Sequence, residues 1–179
     1  MRTLPIVMDS IAQANLHNRV WVVDSGSTDG TIDFAKKSGA TVLHRDWDGM
    51  VGQRRFLLEQ CRGQGADWAL MLDADEWPDS ALWGAVAKLM KEDPPDTVGA
   101  EVHRQLMVHG MPLNFVCQPE RRLRLVRPEH SSVAGSCGDQ AEGIHDRIQV
   151  EGKTIRLPGK LMHDAFLDLA DALSRNLGY

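Results

Sequence analysis

Cysteine is scarce in this sequence: Cys61, Cys117 and Cys137 are odd in number, widely spaced and include no CxxC pair. That pattern argues against a disulfide framework or a structural zinc site and fits a reducing cytoplasm best. No apolar run approaches the roughly 18 to 20 residues needed to span a bilayer, and the N-terminus lacks a charged stretch followed by an apolar signal core. The chain therefore reads as soluble, with contact to a membrane surface through Arg or Trp side chains left open. Positive charge is also short. A formal charge of -5 argues against general nucleic-acid binding, and Arg121, Arg122, Arg124 and Arg127 form the one basic cluster worth noting. Internal repeats and low-complexity tracts are missing.

What remains is ordinary globular composition, 42% hydrophobic and 25% charged over 179 residues, enough for one core and one domain spanning 1–179. The stretch with most to say is Trp68-Ala69-Leu70-Met71-Leu72-Asp73-Ala74-Asp75-Glu76, an apolar strand running into three carboxylates. Side chains two apart on an extended chain share a side, so Asp73 and Asp75 can aim at one point. Converging carboxylates repel unless a cation sits between them, and a hard divalent ion carrying a diphosphate suits the place. The plainer alternative is an acidic turn leading into the helix that begins near Ser80.

Along the chain, Leu4 to Ala14 reads as a helix with Pro5 in its first turn. Arg19 to Val23 is a short apolar run, expected as a buried parallel strand, and Asp24 to Gly30 is a loop of turn and capping residues. A helix from Thr31 to Ser38 stops at Gly39, and Thr41 to His44 forms the next strand. A helix from Gln53 to Cys61 is expected to bury Phe56, Leu57 and Cys61. Trp68 to Leu72 should be a third buried strand, and the helix after Ser80 places Leu82, Val86, Leu89 and Met90 on one stripe. Alternating strands and helices imply a mostly parallel sheet with helices on its faces. Asp24 and Asp73 end strands, where open α/β sheets bind ligands. Beyond the loop Lys91–Thr97 the pattern changes to short strands at Arg122–Leu125, Arg147–Val150 and Thr154–Leu157, then a final helix from Leu167 to Asn176. Residues 1–92 thus read as a nucleotide-binding half and 97–179 as an acceptor-side half of one domain.

Val22-Val23-Asp24-Ser25-Gly26-Ser27-Thr28-Asp29-Gly30-Thr31, followed by Leu70-Met71-Leu72-Asp73-Ala74-Asp75-Glu76, resembles the family 2 glycosyltransferases, which have a GT-A fold. Gln53-Arg54-Arg55, Arg122-Leu123-Arg124-Leu125, Ile144-His145-Asp146 and Leu161-Met162-His163 narrow the likeness to the subgroup containing lipopolysaccharide-core β-glucosyltransferases. The resemblance implies a Rossmann-like α/β fold with a smaller antiparallel acceptor-side part. It also implies inverting transfer of a hexose from a nucleotide sugar, UDP-linked, to a sugar hydroxyl on a lipid-linked or lipopolysaccharide-core acceptor. The cytoplasmic side of the inner membrane would be its place.

By the same resemblance, Asp24 and Ser25 meet the nucleotide, Asp24 accepting a hydrogen bond from the base. Asp73 approaches the ribose or the metal, and Asp75 ligates Mg²⁺ or Mn²⁺ on the donor diphosphate, with His163 as a further metal or phosphate contact. Asp146 is the expected base toward the acceptor hydroxyl, although this subgroup more often has Glu there; Glu120 is the reserve. Arg54, Arg55 and Arg124 suit phosphate or an anionic acceptor, since guanidinium forks match phosphate oxygens. For the Arg121–Arg127 segment a solvated face, with Leu123 and Leu125 turned inward, is the competing and favoured expectation. Trp47 and Trp77 are left between stacking and packing, whereas Trp83 is expected to pack.

The sequence departs from the family at its ends. Relatives begin with another apolar strand, and here Met1-Arg2-Thr3-Leu4-Pro5 falls inside the helix that should follow it, so an N-terminally truncated GT-A fold is expected. Leu177-Gly178-Tyr179 likewise stops in mid-helix. A missing central strand would expose ladder groups of its neighbours, making weak binding or self-association an expectation. Two rivals follow: a catalytically silent nucleotide-sugar-binding or interaction module, and a nucleotidyltransferase, which should carry a Gly-rich, Lys- or Arg-bearing loop after its first strand that this sequence lacks.

Overall fold

The computed structural model describes residues 2–15, 19–108, 110–114, 120–135 and 147–164. Helix α1 (Leu4–Gln13) carries Pro5 in its first turn, where a missing N–H costs nothing, and buries Leu4, Val7 and Met8. Strand β1 (Trp21–Asp24) lies parallel to β2 (Thr41–His44), Trp21 opposite Thr41 and Asp24 opposite His44. Helix α2 (Thr31–Lys37) joins them, and Gly39, at φ +87°, turns the chain out of the helix. The expected βαβ unit is present.

Helix α3 (Met50–Gly63) is longer than the expected Gln53–Cys61. It buries Val51, Leu58 and Cys61, whereas Leu57 and Phe56 are only partly covered. Phe56 lies instead under the Arg45 guanidinium, 5.2 Å from the ring centre. Strand β3 shrinks from the expected Trp68–Leu72 to Ala69–Leu70. The chain then turns through Asp73–Asp75 into β4 (Glu76–Pro78) and helix α4 (Ser80–Glu92). Asp79 caps α4, accepting from the Leu82 N–H at 2.7 Å. Leu82, Trp83, Val86 and Leu89 are buried, and Trp83 donates its indole N–H to Ser10 Oγ at 2.8 Å. Met90 is exposed, contrary to the stripe expected of it, in the last turn of the helix.

The second half contributes β5 (Thr97–Val108), β6 (Met111–Pro112), β7 (Glu120–Val126), β8 (Ser131–Ala134), β9 (Arg147–Val150) and β10 (Lys153–His163). Strands β3-β7-β5-β10-β4 follow one another in one sheet, with β6 paired to β5 off that path. The α/β class holds, but the balance of strand directions corrects the expected mostly parallel sheet. Within this sheet β5–β10 is parallel, while β3–β7, β5–β7, β5–β6 and β4–β10 are antiparallel. Where the chain turns straight back, as from β5 toward β7, its neighbours must run antiparallel.

The β1–β2 pair forms its own ladder. Side chains rather than backbone join it to the rest: Ile11 packs against the clusters around both Ala35 and Leu82, and Trp21 joins Val51, Leu58, Ala69 and Met71. Helices α1 and α3 therefore cover opposite faces of a seam between β1 and β3. The helix expected over Leu167–Asn176 lies outside the described residues.

Candidate active site

The Asp73–Asp75 turn is pinned from three directions. Thr3 Oγ1 donates to the Ala74 carbonyl at 2.9 Å, the Asp164 N–H to the Asp75 carbonyl at 3.0 Å, and the Glu76 N–H closes onto the Asp73 carbonyl at 3.0 Å. Such a turn has little freedom, so its carboxylates are presented in fixed directions.

Asp73 is claimed by two arginines. Arg54 Nη2 donates to Oδ1 at 2.6 Å and Arg124 Nη2 to Oδ2 at 2.9 Å. Arg124 also reaches Glu76 Oε1 at 2.7 Å, and Arg104 Nη1 approaches the same oxygen at 3.4 Å. Arg104 then grips Glu120 with two parallel bonds of 2.8 Å, and Arg122 adds a third contact at 2.6 Å. Sequence reasoning expected a solvated face at Arg121–Arg127. The structure overturns that at Arg124, which is 5% exposed, through a shift of register: Ala100 faces Leu125 and Glu101 faces Leu123, leaving Arg124 as the extra residue. A bulge of this kind re-aims a side chain, here inward. Arg55, by contrast, donates to the Val133 and Gly135 carbonyls and steadies β8.

Asp75 looks toward His163, Oδ2 to Nε2 being 3.6 Å, and His163 Nδ1 is buried without a hydrogen-bond partner. Burial alone would push the Asp75 carboxyl up, but the His163 contact and the Arg104 charge outweigh it and hold the carboxyl below its ordinary value. Among the described residues no group of three or more His, Cys, Asp or Glu gathers as an ion cage. One carboxylate and one imidazole do fit an ion that takes its remaining ligands from phosphate and water, as Mg²⁺ commonly does.

Asp24 ends β1 and is 5% exposed, with Oδ2 accepting from the Gly26 and Ser27 N–H groups at 2.8 and 2.9 Å. Burial raises its carboxyl, and these bonds, with the Ser27 side chain and His44, more than reverse that. One oxygen is thus engaged in a local cap at the start of the Asp24–Gly30 loop. Ser25 is exposed beside it. Asp146 lies outside the described residues. The structure therefore brings Asp73, Arg54 and Glu120 into one network, sets Asp75 and His163 beside it, and keeps Asp24 and Ser25 on a separate loop. A cavity of about 420 Å³ opens at the starting end of β1, lined by Met8, Ile11, Val20 and Trp21 among others, and includes none of these carboxylates. Glu76 and Arg104 are the members that sequence reasoning missed. The third acid of the Asp73–Glu76 run was the available signal for Glu76; Arg104 offered none.

Residues 2–112 match the family model described as glycosyl transferase family 2. The chain belongs to this family. It is 32% identical over 149 residues to the lipopolysaccharide core biosynthesis glycosyltransferase LpsC of Rhizobium meliloti (strain 1021), an alignment covering 79% of this chain and 52% of that protein. It is 45% identical over 149 residues to an uncharacterized glycosyltransferase of Rickettsia typhi (strain ATCC VR-144 / Wilmington), covering 82% and 49%. Over 62 residues it is 47% identical to one from Rickettsia conorii (strain ATCC VR-613 / Malish 7), covering 35% and 21%. The chain thus spans about half the length of the two relatives aligned over 149 residues. The family resemblance carried by the Asp24 and Asp73–Glu76 motifs is borne out, and with it a GT-A type of α/β fold. No helix among the described residues is long and apolar enough to cross a membrane.

Proposed function

We propose that this chain is an inverting, metal-dependent hexosyltransferase moving a hexose from a nucleotide sugar, UDP-linked, to a sugar hydroxyl of a lipopolysaccharide-core or other cell-envelope glycan acceptor. The observation that carries the reading is Asp75, on its pinned turn beside the arginine-held Asp73, facing His163 at the end of β10. The likeness to LpsC supports the acceptor class. Asp75 and His163 would hold Mg²⁺ or Mn²⁺, which when bound offsets charge building on the departing nucleoside diphosphate. Asp24 and Ser25 would meet the base, and the Arg54–Asp73–Arg124 unit the ribose and phosphate edge.

Glu120 is a poor base on this reading. Its carboxylate is consumed by Arg104 and Arg122, and a carboxylate held that firmly ionised draws a proton weakly. Asp146, the first expectation for the base, keeps the role of taking the acceptor proton in this proposal. The acceptor-side half, 97–179, and attachment at the cytoplasmic face of the inner membrane belong to the same proposal.

Calorimetry with UDP tests it. Binding is expected in Mn²⁺ and is lost in Asp75→Ala or on chelation; no binding with or without metal overturns the reading. The separate β1–β2 ladder favours one rival, a silent nucleotide-sugar-binding module. That rival predicts metal-dependent UDP binding with no turnover of UDP-glucose in the presence of acceptor extracts.

A further inference from the structure

We propose that Glu76 is a positioning residue that ties the Asp73 turn and Glu120 into one ionic unit, an inference whose binding readout rests on the transferase reading above. Glu76 is fully buried, 0% exposed, on β4. A buried ionised carboxylate gives little stability beyond what a well-packed apolar side chain would supply, so stability alone does not account for it. Its contacts do. Oε1 receives Arg124 at 2.7 Å and Arg104 at 3.4 Å, while Oε2 accepts from the Asp73 N–H at 3.2 Å.

Each of those arginines holds a second acid. The same Nη2 of Arg124 that meets Glu76 meets Asp73 at 2.9 Å, and Arg104 meets both oxygens of Glu120 at 2.8 Å. Glu76 touches both guanidiniums, so it sets the spacing between Asp73, on the β3–β4 turn, and Glu120, at the start of β7. Because β4 pairs with β10 so that Glu76 faces His163, the same residue also lies across from the imidazole that meets Asp75. An amide cannot replace it: Gln at 76 would offer one neutral acceptor oxygen where two guanidiniums converge and would aim an NH₂ at a donor.

The test is a double-mutant cycle read by urea unfolding. Asp73→Asn and Glu120→Gln should be non-additive by about fivefold or more in the unfolding equilibrium constant, and the coupling should vanish in a Glu76→Gln background. Additive effects in the native background, or coupling that survives Glu76→Gln, overturn the proposal. A second readout separates positioning from mere support. Among folded molecules, Glu76→Gln should weaken Mn²⁺-dependent UDP binding about tenfold, with Glu76→Asp recovering part of it. A lower unfolding midpoint with unchanged UDP affinity also overturns it. Should Glu76→Gln fail to fold, Arg104→Gln, at a less buried position, cuts the same link and takes its place in both measurements. Native protein that binds no UDP defeats the transferase reading alone, and the unfolding cycle still decides whether the ionic unit exists.

Discussion

Glu120 is charged, half-buried and held on both oxygens. Burial by itself would raise its carboxyl; the bonds and charge of Arg104, followed by Arg122, reverse this and leave it below its ordinary 4.5. A folded value below the unfolded one means that the pair's stabilisation is complete above about pH 4.5 and drains away as the pH falls through the lower folded value. The urea midpoint should therefore decline as the pH falls below about 4.5, and Glu120→Gln should make that decline shallower. An equally steep decline in the variant would refute the argument. Legibility in the sequence also divides at this scale. Asp73, Asp75 and Arg54 are visible as motif members, because their spacing is local. The burial of Arg124 is not, because alternation along β7 predicts one face for it and the inserted residue opposite Ala100–Glu101 gives it another.

At the level of elements, the helices are the most readable, since an apolar stripe at helical spacing survives whatever lies outside it. Strand β5 is the counter-example. After Thr97–Ala100, buried throughout, Ala100 and Val102 alternate with partly exposed Glu101 and His103, a two-residue period too short for the segment after Pro95 to advertise. Strand β10 carries a sharper constraint. Its pairing with β5 slips between Arg156 and Lys160, and within that slip Gly159 takes φ +90° against the start of α4. A Cβ there would lie 2.2 Å from the Leu82 nitrogen and 2.6 Å from its Cα, both backbone atoms of a capped helix that cannot step aside. Gly159→Ala should cost about 2–4 kcal/mol from overlap and strain together. Gly26→Ala, at φ +103° but with open space around it, should cost only about 1 kcal/mol. Denaturant unfolding of the two variants side by side measures the contrast.

Across the whole molecule, fold class was legible while the partition of the sheet was not: which strands share a ladder depends on partners far apart in the chain, such as Leu161 against Pro78. The seam beside β1 makes a prediction at this scale. Thr41 N–H meets the Val20 carbonyl and Arg45 N–H the Asp24 carbonyl, so by alternation the amides of Val22 and Asp24 point to β2 while those of Trp21 and Val23 point to the seam. Hydrogen exchange should be at least about tenfold faster at Trp21 and Val23 than at their neighbours; uniform protection along the strand would show that the seam is closed. The placing of His163 has a different consequence, in time rather than space. Asp75 and His163 meet although roughly 90 residues separate them, and at about 5–20 residues per second a ribosome needs on the order of 5–20 s to make that interval. Throughout synthesis up to that moment the nascent chain owns the carboxylate without its imidazole, so this contact forms only once the last described strand has been delivered.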